Sequence, residues 1–180
     1  MHAANKRVAI LVDTNFEQAE FTGPLEALKT AGVQVTVVST AHNPLQGLHH
    51  IEKGDRFTAD QSLEAADPTE FDALVLPGGA INADALRVQE KARDWVRDFL
   101  HEGKLVAAIC HAPWLLASAN VLEGRKLTSY FTIQDDLRNA GGEWIDEPVV
   151  IDDNLITSRQ PDDIPAFNEA ILAFLEKEAA

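Results

Sequence analysis

Cys110 and His111 are the pair in this sequence whose side chains could do covalent chemistry together. Cys110 is the only cysteine among the 180 residues, so it is held by neither an intramolecular disulfide nor a thiolate metal cluster. A thiolate is a strong nucleophile, and an imidazole beside it can take the thiol proton. The run Leu105–Ile109 before it is wholly apolar, and Pro113 opens a helical pattern after it. That order, strand then turn then helix, is the form of a nucleophile elbow. An elbow aims the side chain out of the sheet at a helix N-terminus, where free N–H groups and the helix dipole favour thiolate. The plainer reading is a small buried hydrophobe followed by a histidine pointing away.

Two further features fall where strands are expected to end. Glu17 closes Thr14-Asn15-Phe16-Glu17, which fits a capping box and equally offers an acid or base. Gly78-Gly79 follows Ala73–Leu76 and Pro77, and is either a tight turn or a pair of bare backbone N–H groups for an oxyanion. No metal site is expected: His49-His50 would point apart in an extended chain, and no His-Glu-x-x-His spacing occurs. Neither a Gly-x-Gly-x-x-Gly nor a Walker pattern is present, so no phosphate loop is expected.

The elements that must position these residues alternate along the chain. Val8–Val12, Val33–Ser39, Ala73–Leu76 and Leu105–Ile109 are short apolar runs, read as strands buried on both faces. Further strands are expected over Lys126–Ser129, and at Val149–Ile151 and Leu155–Thr157 around the turn formers Asp152-Asp153-Asn154. Helical spacing appears at Phe21, Leu25 and Leu28, where Pro24 permits either a turn before the helix or one kinked helix. It recurs from Val88 to Phe99, after Pro113, from Ile133 to Ala140, and at Ile164, Phe167, Ile171 and Phe174. Ala41 to Glu70 is polar and irregular, with a short hairpin expected around Phe57 and a short helix near Leu63. Strand and helix alternating from end to end predict an α/β sandwich around a mostly parallel sheet.

Composition bounds the rest. Lys and Arg number 15 against 29 Asp and Glu, a net charge of −14, which disfavours nucleic acid and anionic lipid as partners. An apolar share of 46% suits a packed globular chain, and its length suits one domain over 1–180. No apolar run approaches a bilayer span, and Val8–Val12 after Lys6 and Arg7 is too short for a secretory leader. A cytoplasmic setting and no membrane association are expected.

The combination resembles the PfpI family of the class I glutamine amidotransferase-like superfamily. The matching stretches are Phe16-Glu17-Gln18-Ala19-Glu20-Phe21, Phe71 to Gly79, Ala107 to Pro113, Gly124 to Ser129, Asn139 to Trp144 and Thr157 to Asp163. The resemblance implies a flavodoxin-like three-layer sandwich with Cys110 as nucleophile, His111 as its partner and Glu17 as the carboxyl bonded to the thiolate. It implies no cofactor, and oxyanion donors from Gly78-Gly79 and the amide after the nucleophile. In some members an acid in the loop after the two glycines reaches the histidine across a subunit interface. Asp84 matches that acid, which implies a homodimer or larger homo-oligomer, although Asp84 equally suits the cap of a short helix it begins. The family's elbow usually reads Cys-His-Gly-Pro, and here Ala112 takes the third place, where its methyl could narrow the oxyanion hole. Members are described as glyoxalase III-type enzymes or protein deglycases acting on methylglyoxal and its adducts, as intracellular cysteine peptidases or amidases, and as stress-response proteins. The expected substrate is a small carbonyl compound or its adduct. A short peptide, or a redox-sensing or chaperone role for Cys110 without catalysis, are the alternatives.

Overall fold

The computed structural model describes residues 3–178. In chain order its strands are β1 (Arg7–Val12), β2 (Phe16–Glu17), β3 (Gln34–Ser39), β4 (Leu45–His49), β5 (Glu52–Phe57), β6 (Gln61–Ser62), β7 (Ala73–Leu76), β8 (Leu105–Ile109), β9 (Lys126–Leu127), β10 (Glu143–Trp144), β11 (Val149–Asp152) and β12 (Leu155–Ser158). Its helices are α1 (Gln18–Thr30), α2 (Ala80–Arg87), α3 (Glu90–His101), α4 (Pro113–Ser118), α5 (Gln134–Asn139) and α6 (Ile164–Lys177).

Seven strands form the central sheet in the order β11-β12-β8-β7-β1-β3-β6. Every neighbouring pair is parallel except β11 with β12, a hairpin whose two-residue turn holds Asp153 at φ 55°. Period-two alternation divides the sheet between two cores. Ala9, Leu11, Leu74, Leu76, Val106 and Ala108 face Trp95, Val96 and Phe99 of α3, Leu115 and Leu116 of α4 and Leu137 of α5. Val8, Ile10, Val12, Val75, Leu105 and Ile109 face Phe21 and Leu28 of α1 and Phe167, Ile171 and Leu175 of α6. The result is a flavodoxin-like three-layer sandwich with strands buried on both faces, which is why those strands read as unbroken apolar runs. From β1 the chain moves outward through β3 and β6, then returns to the other side of β1 as β7. The carboxyl edge beside β1 and β7 is therefore a topological switch point, where open α/β sheets bind ligands.

One open local expectation is resolved and three change. Pro24 lies inside a single helix, α1. The polar stretch after β3 contains an antiparallel hairpin, β4 with β5, whose tip is at His50-Ile51, ahead of Phe57. No helix forms near Leu63; the chain pairs as β6 and then turns, with the Ser62 hydroxyl accepting the Ala65 N–H. The strand at Lys126 stops at Leu127 because the Thr128 N–H donates to the Thr157 hydroxyl and so leaves the backbone ladder.

Candidate active site

Cys110 leaves β8 with φ at 64°, a left-handed conformation that is costly for a residue with a Cβ. The surroundings hold it there: its N–H donates to Ser158 O at 3.0 Å and its carbonyl accepts from Tyr130 N at 2.9 Å. The turn brings Sγ to 3.2 Å from Nδ1 of His111, so the adjacent side chains do meet. The imidazole stacks on Tyr130, with centroids 5.0 Å apart, and meets the edge of Trp114 at 5.4 Å. Burial lowers its pKa, favouring the neutral ring that can accept a proton.

The carboxyl beside the thiol belongs to Glu20, and this corrects the expectation for Glu17. Glu20 is fully buried, and its Oε2 accepts the Gly78 N–H at 2.9 Å. A methyl placed on Gly78 would lie 2.3 Å from that oxygen and 2.7 Å from Cys110 Cβ, so carboxyl, glycine and cysteine are packed against one another. Burial pushes the Glu20 carboxyl up to about 8; contact with Cys110 and the Gly78 amide oppose the rise, while the charge of Glu17 adds to it. Oε1 accepts no hydrogen bond. Oε2 is thus the carboxyl oxygen tied to the glycine turn, and Oε1 lies buried without a partner. Burial also pushes the Cys110 thiol up, and an ionised Glu20 would push it further, while the Gly79 and His111 amides favour the thiolate. The expected lowering by the helix N-terminus is therefore opposed by desolvation.

Glu17 sits one turn earlier. It precedes α1 without bonding to it, and the Thr14 hydroxyl accepts Gln46 N, so no capping box forms. Its Oε2 instead accepts the backbone N–H of His50 at 3.0 Å. The inward stripe of α1 runs Glu20, Pro24, Leu28 at intervals of four, which is the signal that singles out Glu20 as a carboxyl in a core position.

The glycine turn sorts the oxyanion candidates. The Gly78 N–H is taken by Glu20 and the Ala112 N–H by Ile109 O at 3.1 Å. The amides of Gly79 and His111 face the sulfur. Gly79 has φ 92°, and a Cβ there would come within 2.6 Å of Glu17 N, so glycine is required. Asn82, buried on α2, fixes this turn by donating to the Pro77 and Gly78 carbonyls and accepting from Asp13 N. Ala112 has ordinary helical angles, and its methyl packs into the core with Leu115 and Leu116, away from the cavity. Asp84 is exposed in the middle of α2, which begins at Ala80, so it caps no helix and does not reach the cavity of its own chain.

A cavity of about 290 Å³ opens over the sulfur. Glu17, Glu20, Gly79, Cys110 and His111 border it, as do Ile51, Ile81 and Tyr130, which did not stand out in the sequence, and His50, weighed there only as a metal ligand. The walls are mostly apolar, and the polar groups converge on one thiol, as in a small-molecule site.

A strained cysteine at the carboxyl edge of a parallel sheet, with a histidine and a buried carboxyl against it, defines a cysteine-centred α/β site. The DJ-1/PfpI family profile matches residues 6–174, and the chain belongs to that family. It is 45% identical over 174 residues to Protein/nucleic acid deglycase 2 of Escherichia coli, covering 95% of this chain and 98% of the relative. It is 41% identical over 170 residues to Deglycase PfpI of Pyrococcus furiosus, covering 94% and 99%. Among solved structures, a two-domain protein from Anabaena variabilis with DJ-1/ThiJ/PfpI-like and ferritin-like domains superposes with a TM-score of 0.88 at 38% identity. That match covers 95% of this chain and 48% of the longer one, so this chain spans about half of that protein.

Proposed function

We propose that the chain is a cofactor-independent enzyme in which Cys110 adds to small reactive carbonyls or their adducts, in the manner of a glyoxalase III or protein deglycase. The observation that carries this reading is the cavity itself: a small, mostly apolar space bordered by Cys110, with the Gly79 and His111 amides directed at its sulfur. The deglycase names of two relatives more than 40% identical support it.

In the proposed reaction the thiol proton passes to His111 Nδ1 and the sulfur attacks the aldehyde carbon. A C–S bond forms, the carbonyl π bond opens, and the Gly79 and His111 amides stabilise the oxyanion. Proton return to that oxygen completes a hemithioacetal. With methylglyoxal, transfer of hydrogen from the aldehyde carbon to the ketone carbon gives a thioester, and water releases lactate and the free thiol. The aldehyde carbon is oxidised, the ketone carbon is reduced, and the net change is addition of one water. Glu20, as a neutral acid against the sulfur, stabilises the thiolate at the start and at the end. Asp84 would act, if at all, on the His111 of a second copy in a homo-oligomer.

The test is a substrate panel in which methylglyoxal, methylglyoxal-modified amino acids and peptide amides are offered to the same preparation. Lactate or released free amine without peptide cleavage supports the proposal. Peptide cleavage alone makes the chain an amidase, and silence toward all three, with rapid oxidation of Cys110, makes it a sensor.

A further inference from the structure

The mechanism leaves Glu17 unused, although it borders the cavity and is half-buried. We infer that Glu17 is a positioning residue that latches the His50-Ile51 tip of the β4–β5 hairpin over Cys110, so that this tip sets the upper size of what reaches the sulfur. The inference rests on the reading of this cavity as the substrate site.

The hairpin is anchored at its base, where Leu45 is buried in the core and Gln46 bonds Thr14 and Asn15, and less so toward its tip. It lies outside the seven-stranded sheet, and only the two residues of β2 pair with it, Phe16 with Gly47 and Glu17 with Leu48. Its base is anchored by Phe57, whose ring meets Phe21 at 5.0 Å and Phe16 at 5.8 Å. Its middle is clasped by Gln18, which accepts from Asp55 N at 2.7 Å and donates to the Asp55 carboxylate at 2.8 Å. The tip has no apolar anchor: Ile51 is 88% exposed and His50 is also exposed, yet both border the cavity. The β4–β5 ladder closes the tip at His49 and Glu52, and what ties the tip to the body of the protein is the Glu17 carboxylate accepting the His50 N–H, with His50 held at φ 59°. A charge-assisted bond of this kind is among the stronger single restraints on an exposed turn. Without it, a polar hairpin tip with few buried contacts opens readily. Glu17 and Glu20 thus divide the work one helical turn apart, one shaping the entrance and the other meeting the sulfur.

Competition between two thiol reagents reads this without reference to turnover. Cys110 is alkylated at one pH by iodoacetamide and by a bulky maleimide, and the ratio of the two rates is compared across variants. Taking the ratio cancels changes in thiolate population. In Glu17→Ala the bulky-to-small ratio is expected to rise about tenfold, the scale set by losing one such hydrogen bond. Glu17→Gln keeps an acceptor for the His50 N–H and should retain the wild-type ratio. Ile51→Ala, which trims the tip and leaves the latch, should also raise it. Amide exchange across residues 48–52 should speed up in Glu17→Ala only, and this measurement also shows whether that variant is folded elsewhere. An unchanged ratio in Glu17→Ala, or an equal rise in Glu17→Ala and Glu17→Gln, overturns the latch. Because the readout is alkylation, a chain inactive on every carbonyl would still pass or fail this test on its own terms.

Discussion

Glu20 is hydrogen-bonded to the Gly78 amide and packed against Cys110, so the sulfur rests between a buried carboxyl and a histidine. Burial holds the carboxyl proton to about 8, against an ordinary value of 4.5. The folded state therefore binds a proton that the unfolded chain releases at lower pH. The stability tied to that proton is fully present below pH 4.5 and is lost as pH rises through about 8. Glu20→Gln, neutral at every pH, should flatten this slope. Urea midpoints from pH 4.5 to 8.5 should fall more steeply for wild type than for the variant. Parallel curves would mean that Glu20 is ionised beside the sulfur.

Much of this arrangement was legible in the sequence, for definite reasons. Val8–Val12 and Leu105–Ile109 announced parallel strands because both their faces are covered, and Cys110 announced an elbow because Pro113 restarts the chain as a helix. Glu17 was harder to place. Its spacing from Thr14 mimics a capping box, yet the Thr14 hydroxyl goes to Gln46, a partner 32 residues away. The hairpin that supplies His50 and Ile51 was legible only as a hairpin near Phe57, its tip left unplaced because β5 is mostly exposed and carries no alternating apolar face. The signal for Glu20 is its place in the buried Pro24 and Leu28 stripe of α1, which the capping pattern at Glu17 masks.

Ala112 departs from the glycine usual at this point of the elbow, and its surroundings forecast the outcome of reverting it. The backbone there has φ −55° and ψ −32°, angles that need no glycine, and the methyl is buried in the core. Ala112→Gly should cost about 1 kcal/mol of stability through backbone entropy and a lost buried methyl. Since that methyl does not border the cavity, kcat and KM for a small aldehyde should stay near wild type. A clear gain in activity, followed by steady-state kinetics, would show that the methyl obstructs the oxyanion site after all.

Asp84 is exposed on α2 and lies outside its own chain's cavity, so any contact it makes with His111 must come from a second copy. Mixing inactive Cys110→Ala with an Asp84→Ala variant should then restore part of the activity, because a mixed interface can contain one intact site. Activity per subunit should also fall on dilution as the assembly dissociates. Full activity of Asp84→Ala by itself, or of a monomer confirmed by light scattering, would show that each chain builds its site unaided.

The most direct measurement is lactate formation from methylglyoxal by wild type and by Cys110→Ala at matched folded concentration, followed by proton NMR in the same buffer. Cys110 borders the cavity and its sulfur is the only atom lost, so the variant should fold and still admit substrate. Covalent catalysis by Cys110 requires steady lactate formation by wild type and a rate indistinguishable from buffer for the variant. Turnover by Cys110→Ala at a rate near that of wild type would contradict it.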